Sequence, residues 1–370
     1  MAESAGSINT QRRINIPELN TLRFVFMVMI FFHHMNNCTM FPPGGYLAVS
    51  FFFVLSGFSM TIGYHDRIQS PGFSYYKYIA RRATKFYPIH WLVLFITIAL
   101  EFHWGTHDSN LFWPRLTTNF FLVQSFIPDR FFYFSFNSPS WYLCNTLFYC
   151  LLFPFILKVL CRSKKSVRTT ILLGMIAIFV LLVVLVPKEY HHAILYVNPL
   201  VRLLDFVLGI YTGLYFLDYI NRKPSSMISS TQLSIVAVLC FCVVAFVSFA
   251  HIDKTINSYI VNFYWLIFCP MILSISIISM GRMDSSKKQL GGGKFSISKL
   301  LQLGGMYSFT FYMIHLKCIG IISPLCGKLG LGLWITVLVT FIGTIIAAVI
   351  CQRYFVEPIG KFLMNKINNQ

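Results

Sequence analysis

The sequence predicts an all-α polytopic membrane protein with about ten transmembrane helices and with both termini in the cytoplasm. Composition is the first observation: 56% of the 370 residues are hydrophobic and 11% are charged, whereas a soluble domain carries about 25% charged residues. The second is a series of apolar runs of membrane-spanning length, and the third is the side on which the positive charges fall. The lipid bilayer is therefore the first predicted partner.

Ten apolar runs are long enough to cross a bilayer, since a spanning helix needs about 20 apolar residues. They cover 22–40, 46–64, 86–104, 140–160, 170–187, 199–217, 231–250, 258–280, 303–324 and 331–355. The apolar segment 111–128 contains Pro114 and Arg115, which predicts a re-entrant or interfacial piece. The predicted domains are a cytoplasmic tail (1–20), an integral membrane domain (21–358) and a second cytoplasmic tail (359–370).

The distribution of positive charge supports this count. The net charge of +18 would suggest a nucleic-acid partner on a soluble protein. If the N-terminus is cytoplasmic and the spans alternate, the inside segments with the adjoining span ends hold 22 Lys and Arg, the outside segments hold five, and three more lie within spans. Such an asymmetry is typical of membrane topology, so we predict cytoplasmic termini and no nucleic-acid partner.

The first span contains Arg23 and His34, and ionisable residues inside a membrane indicate function. The two are eleven residues apart, so about three helical turns place them on one face, ~16 Å apart along the axis. His34 is then near the middle of the bilayer. A neutral imidazole there is either a general base for an alcohol or a histidine packed between helices. His33 points to another face, which favours a structural role.

Three cations lie at the cytoplasmic mouth of the third span: Arg81, Arg82 and Lys85. Clusters of this kind suit phosphate recognition, but they also arise as charges that set topology. In the second span, Ser56 and Gly57 allow a close approach between helices.

Taken in order, these residues form the pattern of a known family. Arg23 and His34 have its Arg-x10-His spacing, and further motifs follow as far as residue 358. They are Gly45 with FFVLSGF at 52–58, RRATKFYP at 81–88, SWYL at 140–143 with Phe148, Tyr149 and Pro154, RLLDFVLG at 202–209, SFTFYMIH at 308–315, and Glu357-Pro358. The chain thus resembles the membrane-bound acyltransferase-3 family, which O-acylates surface polysaccharides and other extracytoplasmic acceptors.

The sequence departs from the family pattern at three places. Lys85 stands where arginine is usual, and a lysine lacks the planar fork that binds phosphate through two hydrogen bonds. Asn145 and Thr146 stand where the family often carries a glutamate. Asp205 replaces the usual glutamate and keeps the charge on a shorter side chain.

The resemblance implies that acyl-CoA, most commonly acetyl-CoA, is the donor and is bound from the cytoplasm. The acceptor is then a hydroxyl group of a glycan on the far side of a bacterial inner membrane. Arg81, Arg82 and Lys85 are expected to hold the CoA phosphates, and Arg23 to hold the donor or line its entrance.

The resemblance also implies roles for residues deeper in the membrane. His34 is expected to deprotonate the acceptor hydroxyl or to carry the acyl group transiently, and His315 to orient His34 or to stabilise the oxyanion. Trp141 is expected to contact the acceptor. Arg202 and Asp205 lie one turn apart on one helix face, as an internal ion pair or as acceptor contacts. No metal site is predicted.

Two other kinds of function stay open at this point. One is a polysaccharide or lipid-linked glycan exporter, in which His34, Arg202, Asp205 and His315 line a pathway. The other is a purely structural membrane anchor, which the buried charges disfavour. Consumption of acyl-CoA by the purified protein separates the enzyme from the exporter.

Overall fold

A computed structural model describes residues 14–35, 45–105, 110–222, 229–249, 259–286 and 297–369. Within these ranges the chain is helical and contains no β-strand, which confirms the predicted all-α class. Nine of the described helical segments are long and apolar enough to cross a membrane. The prediction of a polytopic membrane protein is therefore also confirmed.

Thirteen helices are found in the described part of the chain. They are α1 (Pro17–His34), α2 (Gly45–Gln69), α3 (Tyr75–His103), α4 (Phe112–Phe120), α5 (Arg130–Tyr133), α6 (Ser140–Arg162), α7 (Lys165–Leu185), α8 (Pro199–Arg222), α9 (Ser230–Phe249), α10 (Trp265–Ser286), α11 (Ile297–Lys328), α12 (Leu333–Cys351) and α13 (Glu357–Asn368). Short 3₁₀ or π-helical segments lie at Gln124–Phe126, Lys188–Tyr190, His191–Val197, Val261–Phe263 and Gln352–Val356.

Helix α1 differs most from its predicted span of 22–40. It begins at Pro17, which has the backbone angle of a first helical turn and no N–H to leave unpaired. It ends at His34, so His34 lies at the end of a helix rather than within one. Residues 36–40 lie outside the described residues. With Glu18 and Arg23, α1 is more polar than the nine apolar candidates, and it packs mainly on α11 and α2.

Helices α2 and α8 share the most extensive contact in the described bundle, and glycines make their close approach possible. A Cβ atom added to Gly57 of α2 would lie 2.0 Å from the carbonyl oxygen of Phe206, and one added to Gly209 of α8 would lie 2.0 Å from that of Val54. No side chain fits at either point. Small residues at helix crossings are typical of membrane bundles, because they let the backbones pack against each other.

The segment between α3 and α6 contains α4, a 3₁₀ turn and α5, and it packs across one end of the bundle. Its polar side chains are buried and bonded: Asn119 donates to Ser135 Oγ at 2.6 Å, and Gln124 donates to Ser140 Oγ at 3.0 Å. Lys317 of α11 donates to the carbonyl of Phe136 at 3.0 Å. These bonds hold the segment, which we call the outer segment (110–139), against α6 and α11.

Helix α13 occupies most of the predicted tail 359–370. The first turns of α13 pack against α3. The helix follows a π-helical segment that continues α12. The sequence pattern alone did not indicate this helix, because its few apolar residues are separated by polar ones and form no apolar run.

Candidate active site

The two histidines singled out in the sequence meet in the structure. His34 ends α1, and His315 lies in the middle of α11, where it is fully buried. The Nε2 atom of His315 is 3.3 Å from the Nδ1 atom of His34, and the ring centroids are 5.0 Å apart. The long packing contact between α1 and α11 therefore brings one imidazole against the other.

The backbone around the histidines selects the tautomer of each neutral ring. The Nδ1 atom of His34 is 2.9 Å from the carbonyl oxygen of Ile30, and that of His315 is 2.6 Å from the carbonyl oxygen of Tyr312. A carbonyl only accepts, so each Nδ1 carries the proton. His315 Nε2 then accepts from His34 Nδ1–H. The Nε2 atom of His34 is left unprotonated, which is the form a general base requires.

His34 lines a small cavity of about 80 Å³, which we call the outer cavity. Its walls are aromatic: Tyr46, Trp141 and Tyr196 contribute rings, and the Trp141 and Tyr196 centroids are 5.0 Å apart. The outer segment covers one side through Phe134 and neighbouring residues. The predicted acceptor residue Trp141 thus lies in the same cavity as His34.

His192 also lines the outer cavity, although neither a motif nor the family resemblance assigned it a role. Its Nδ1 atom is 3.1 Å from the hydroxyl of Tyr133 in the outer segment. Burial, with the charge of Arg130 as the smaller cause, lowers the pKa of His192 to about 4. The ring is therefore neutral at pH 7 and presents nitrogen atoms that can bond a hydroxyl group.

A larger cavity of about 400 Å³, the inner cavity, lies on the other side of His34 toward the predicted cytoplasmic end. Three cations line it: Arg23, Arg82 and Lys85. Its wall also carries several hydroxyl and amide groups, at Asn20, Ser56, Ser59, Thr146, Ser308 and Gln352. The cavity thus offers positive charge and hydrogen-bonding groups inside a mostly apolar bundle.

Two of these cations, Arg23 and Arg82, are held in different ways. Arg23 donates to Asn20 and, at 3.0 Å, to Ser59 Oγ. Arg82 stacks its guanidinium group 4.7 Å from the centre of the Tyr64 ring, and its buried Nε atom has no hydrogen-bond partner. Such an unpaired buried donor is expensive, and it fits a wall that receives an anionic ligand.

Arg81 is not part of this group. Its side chain is exposed and lies outside both cavity walls, although it is the neighbour of Arg82 in the chain. Adjacent residues of a helix point about 100° apart, and here Arg82 lines the cavity while Arg81 does not.

The two cavities share three lining residues: Ile30, Val49 and Tyr312. We call these side chains the septum. Arg23 and the other cations lie on one side of the septum, and His34 lies on the other. A group that moves from the inner cavity to His34 therefore passes these side chains.

The predicted acceptor residues Arg202 and Asp205 lie elsewhere. Arg202 Nη2 is 2.7 Å from Asp205 Oδ2 and donates to Ser50 Oγ at 2.7 Å, and both charged side chains have no exposed surface. Neither side chain lines the outer or the inner cavity. The geometry is that of an internal ion pair within α8, which the bond to Ser50 ties to α2.

The departures from the family pattern have clear positions. Asn145 is buried and donates to the carbonyl of Val197 at 2.8 Å, so it fixes α6 to the π-helical segment that precedes α8. Thr146 bonds the carbonyl of Tyr142 and lines the inner cavity. A neutral amide and a hydroxyl therefore stand where a carboxylate is often found.

Comparison with known proteins agrees with the resemblance described above. A family model described as "Acyltransferase domain" matches residues 16–353, which is most of the chain. The chain belongs to this acyltransferase family. The acyltransferase MdmB of Streptomyces mycarofaciens is 25% identical over 337 residues, covering 83% of this chain and 80% of MdmB. No solved structure matches the chain significantly.

Family membership and the membrane-spanning helices together support a membrane-bound transferase of acyl groups. The matched range begins before Arg23 and ends after His315, so it contains the histidine pair and every lining residue of both cavities except Val356. The family was predicted from the order of the motifs, and that prediction is confirmed.

Proposed function

We propose that the protein is an O-acyltransferase of a bacterial inner membrane. It moves an acyl group from cytoplasmic acyl-CoA to a hydroxyl group of an extracytoplasmic glycan. We propose acetyl as the acyl group. The observation that carries the proposal is the pair of cavities on either side of the septum, one lined by cations and the other by His34 and aromatic rings.

The inner cavity suits the donor. The phosphates of CoA are anionic, and Arg82, Lys85 and Arg23 supply positive charge along one wall. Guanidinium groups bind phosphate strongly because the hydrogen bonds are charge-assisted. The narrow pantetheine arm then passes the septum and brings the thioester carbonyl to His34.

The outer cavity suits the acceptor. The rings of Tyr46, Trp141 and Tyr196 present flat apolar surfaces, and His192 adds a neutral hydrogen-bonding group. A sugar ring offers both an apolar face and hydroxyl groups, so it matches these two features.

The transfer needs one base and one leaving thiolate. His34 Nε2 takes the proton of the acceptor hydroxyl as its oxygen attacks the thioester carbonyl. The C–O bond forms, the C–S bond breaks, and the thiolate of CoA takes the proton back from His34. His315 accepts the hydrogen bond from His34 Nδ1–H and so holds the ring for this exchange. A variant of this path passes the acyl group through His34 as an acyl-imidazole.

The test is acyl transfer by the purified full-length protein in detergent. We expect release of free CoA thiol from acetyl-CoA, faster with an added glycan, and a loss of about 10²–10⁴-fold in His34→Ala. His103→Ala, an exposed histidine at the end of α3, is the control and keeps the normal rate. Normal rates in a folded His34→Ala protein would refute the proposal. Absence of thiol release from the wild type, together with glycan transport into vesicles, would favour the exporter.

A further inference from the structure

A second polar cavity lies at the predicted cytoplasmic end of the bundle, away from the inner cavity. Four helix ends surround it: α2 ends at Gln69, α6 ends at Arg162, α7 begins at Lys165 and α8 ends at Arg222. Its volume is about 600 Å³. We call it the basic pocket. Among the described residues, none lines both the basic pocket and the inner cavity.

Positive charge predominates in the wall of the basic pocket. Lys165, Arg168 and Arg222 line it, with Asp218 as the one carboxylate among the lining residues that the structure describes. His65 also lines the pocket and bonds Asp66 at 2.7 Å. The balance favours an anion.

The cations are arranged as a bonded wall and an exposed rim. Arg168 donates to the carbonyls of Ser163 and Cys161 at 3.0 and 3.1 Å, so its guanidinium group is held in place. Lys165 is exposed, and Arg222 pairs with Asp218 in an exposed contact. An exposed pair of this kind is worth little, so Arg222 is free to exchange Asp218 for another anion.

The pocket continues onto an apolar surface. Leu214, Tyr215 and Leu217 of α8 line it together with the cations, and Tyr215 is 55% exposed. Because α8 ends at this side, the cations are at the level of the lipid headgroups, and the apolar residues one to two turns back are at the level of the acyl chains. A ligand with a phosphate group and attached acyl chains matches both parts.

We propose that the basic pocket binds the phosphate headgroup of an anionic membrane lipid, whose acyl chains lie along α8. Basic pockets between transmembrane helices on the cytoplasmic side are suited to such headgroups. The proposal does not rest on the acyl-transfer function, because it uses different residues on the other side of α2.

A matched pair of variants tests the proposal. Lys165→Gln with Arg222→Gln removes two cations from the pocket and leaves the structural Arg168 in place. Arg162→Gln with Lys164→Gln removes two cations from the same loop region, but neither residue lines the pocket. Both double variants change the surface charge equally. A difference between their lipid affinities is therefore due to the cations that line the basic pocket.

The measurement is native mass spectrometry of the full-length protein, titrated with phosphatidylglycerol or with phosphatidylcholine. We expect tighter binding of phosphatidylglycerol to the wild type, a loss of roughly tenfold or more in the pocket double, and little change in the control double. Equal losses in both doubles, or no loss in either, would overturn the proposal. Displacement of the lipid by free inorganic phosphate or glycerol phosphate at similar concentration would show a soluble anion site instead.

Discussion

Arg81 and Arg82 are neighbours in the chain with different surroundings, and this difference makes a prediction at the scale of one residue. Arg82 faces the inner cavity and Arg81 does not. We expect Arg82→Gln to raise the KM for acyl-CoA by roughly tenfold or more, because a charged hydrogen bond to phosphate is lost.

Arg81→Gln is the matched control, and it should change this KM only slightly. Steady-state kinetics at several acyl-CoA concentrations measure both effects. If the two variants raised KM equally, the CoA phosphates would lie outside the inner cavity, at its predicted cytoplasmic mouth. The expectation from the family resemblance that Arg81 binds CoA would then hold.

His315 makes the second prediction at this scale. Its Nε2 atom accepts a hydrogen bond from His34, and in the proposed mechanism this contact positions the His34 ring. His315→Leu removes that acceptor and should lower kcat by about 10²-fold. In His315→Gln the amide oxygen replaces Nε2 as acceptor, so we expect much of the activity to return. Equal activity of two folded variants would mean that His315 only fills space.

The sequence predicted some of these residues and not others. His34, Arg23 and His315 were recognisable because an ionisable residue in an apolar run is unusual. Tyr312 and Tyr46 line the cavities, but one tyrosine among nineteen in a chain rich in aromatic residues carries no signal of its own. Their roles depend on which helices face each other, and that information lies in the packing.

At the scale of helices, the crossing of α2 and α8 predicts which glycine can be replaced. In Gly57→Ala the added methyl group meets the carbonyl of Phe206, so the helices must separate. We expect a loss of about 1–3 kcal/mol, seen as a lower Tm in detergent. Gly63→Ala is on the same helix with open space around it, and it should leave Tm unchanged or slightly raised. The reverse order of Tm values would contradict the observed crossing.

The helices were predicted more reliably in number than in their limits. Apolar runs identified the spans because lipid requires about 20 apolar residues. Polar extensions were missed. Helix α3 begins at Tyr75, well before the predicted edge at residue 86. Ser74 caps this start by accepting a hydrogen bond from the Lys77 N–H. These extra turns leave the apolar region, so hydropathy does not detect them.

At the scale of the whole molecule, the septum predicts a separation between binding and chemistry. Val49 lies between the two cavities and is buried. We expect Val49→Phe to keep the affinity for acyl-CoA in the inner cavity and to lower the transfer rate at least ~10-fold, because the thioester no longer reaches His34. Equilibrium binding and thiol release measure the two quantities separately.

The control for this experiment is Val184→Phe. It makes the same change on α7, where the side chain is 72% exposed and outside both cavities. Its binding and its rate should both be normal. If Val49→Phe lost both its affinity for acyl-CoA and its transfer rate, the prediction would be wrong. The bound donor would then already extend past the septum before the reaction begins.

The septum has a consequence for the cell that houses the protein. A continuous water-filled passage between two compartments would let protons leak and would discharge the gradient that drives ATP synthesis. Ile30, Val49 and Tyr312 interrupt the passage with hydrocarbon and an aromatic ring, which oppose the entry of charged species. In the proposed function, an acyl group would thus pass from one compartment to the other while the membrane stays electrically insulating.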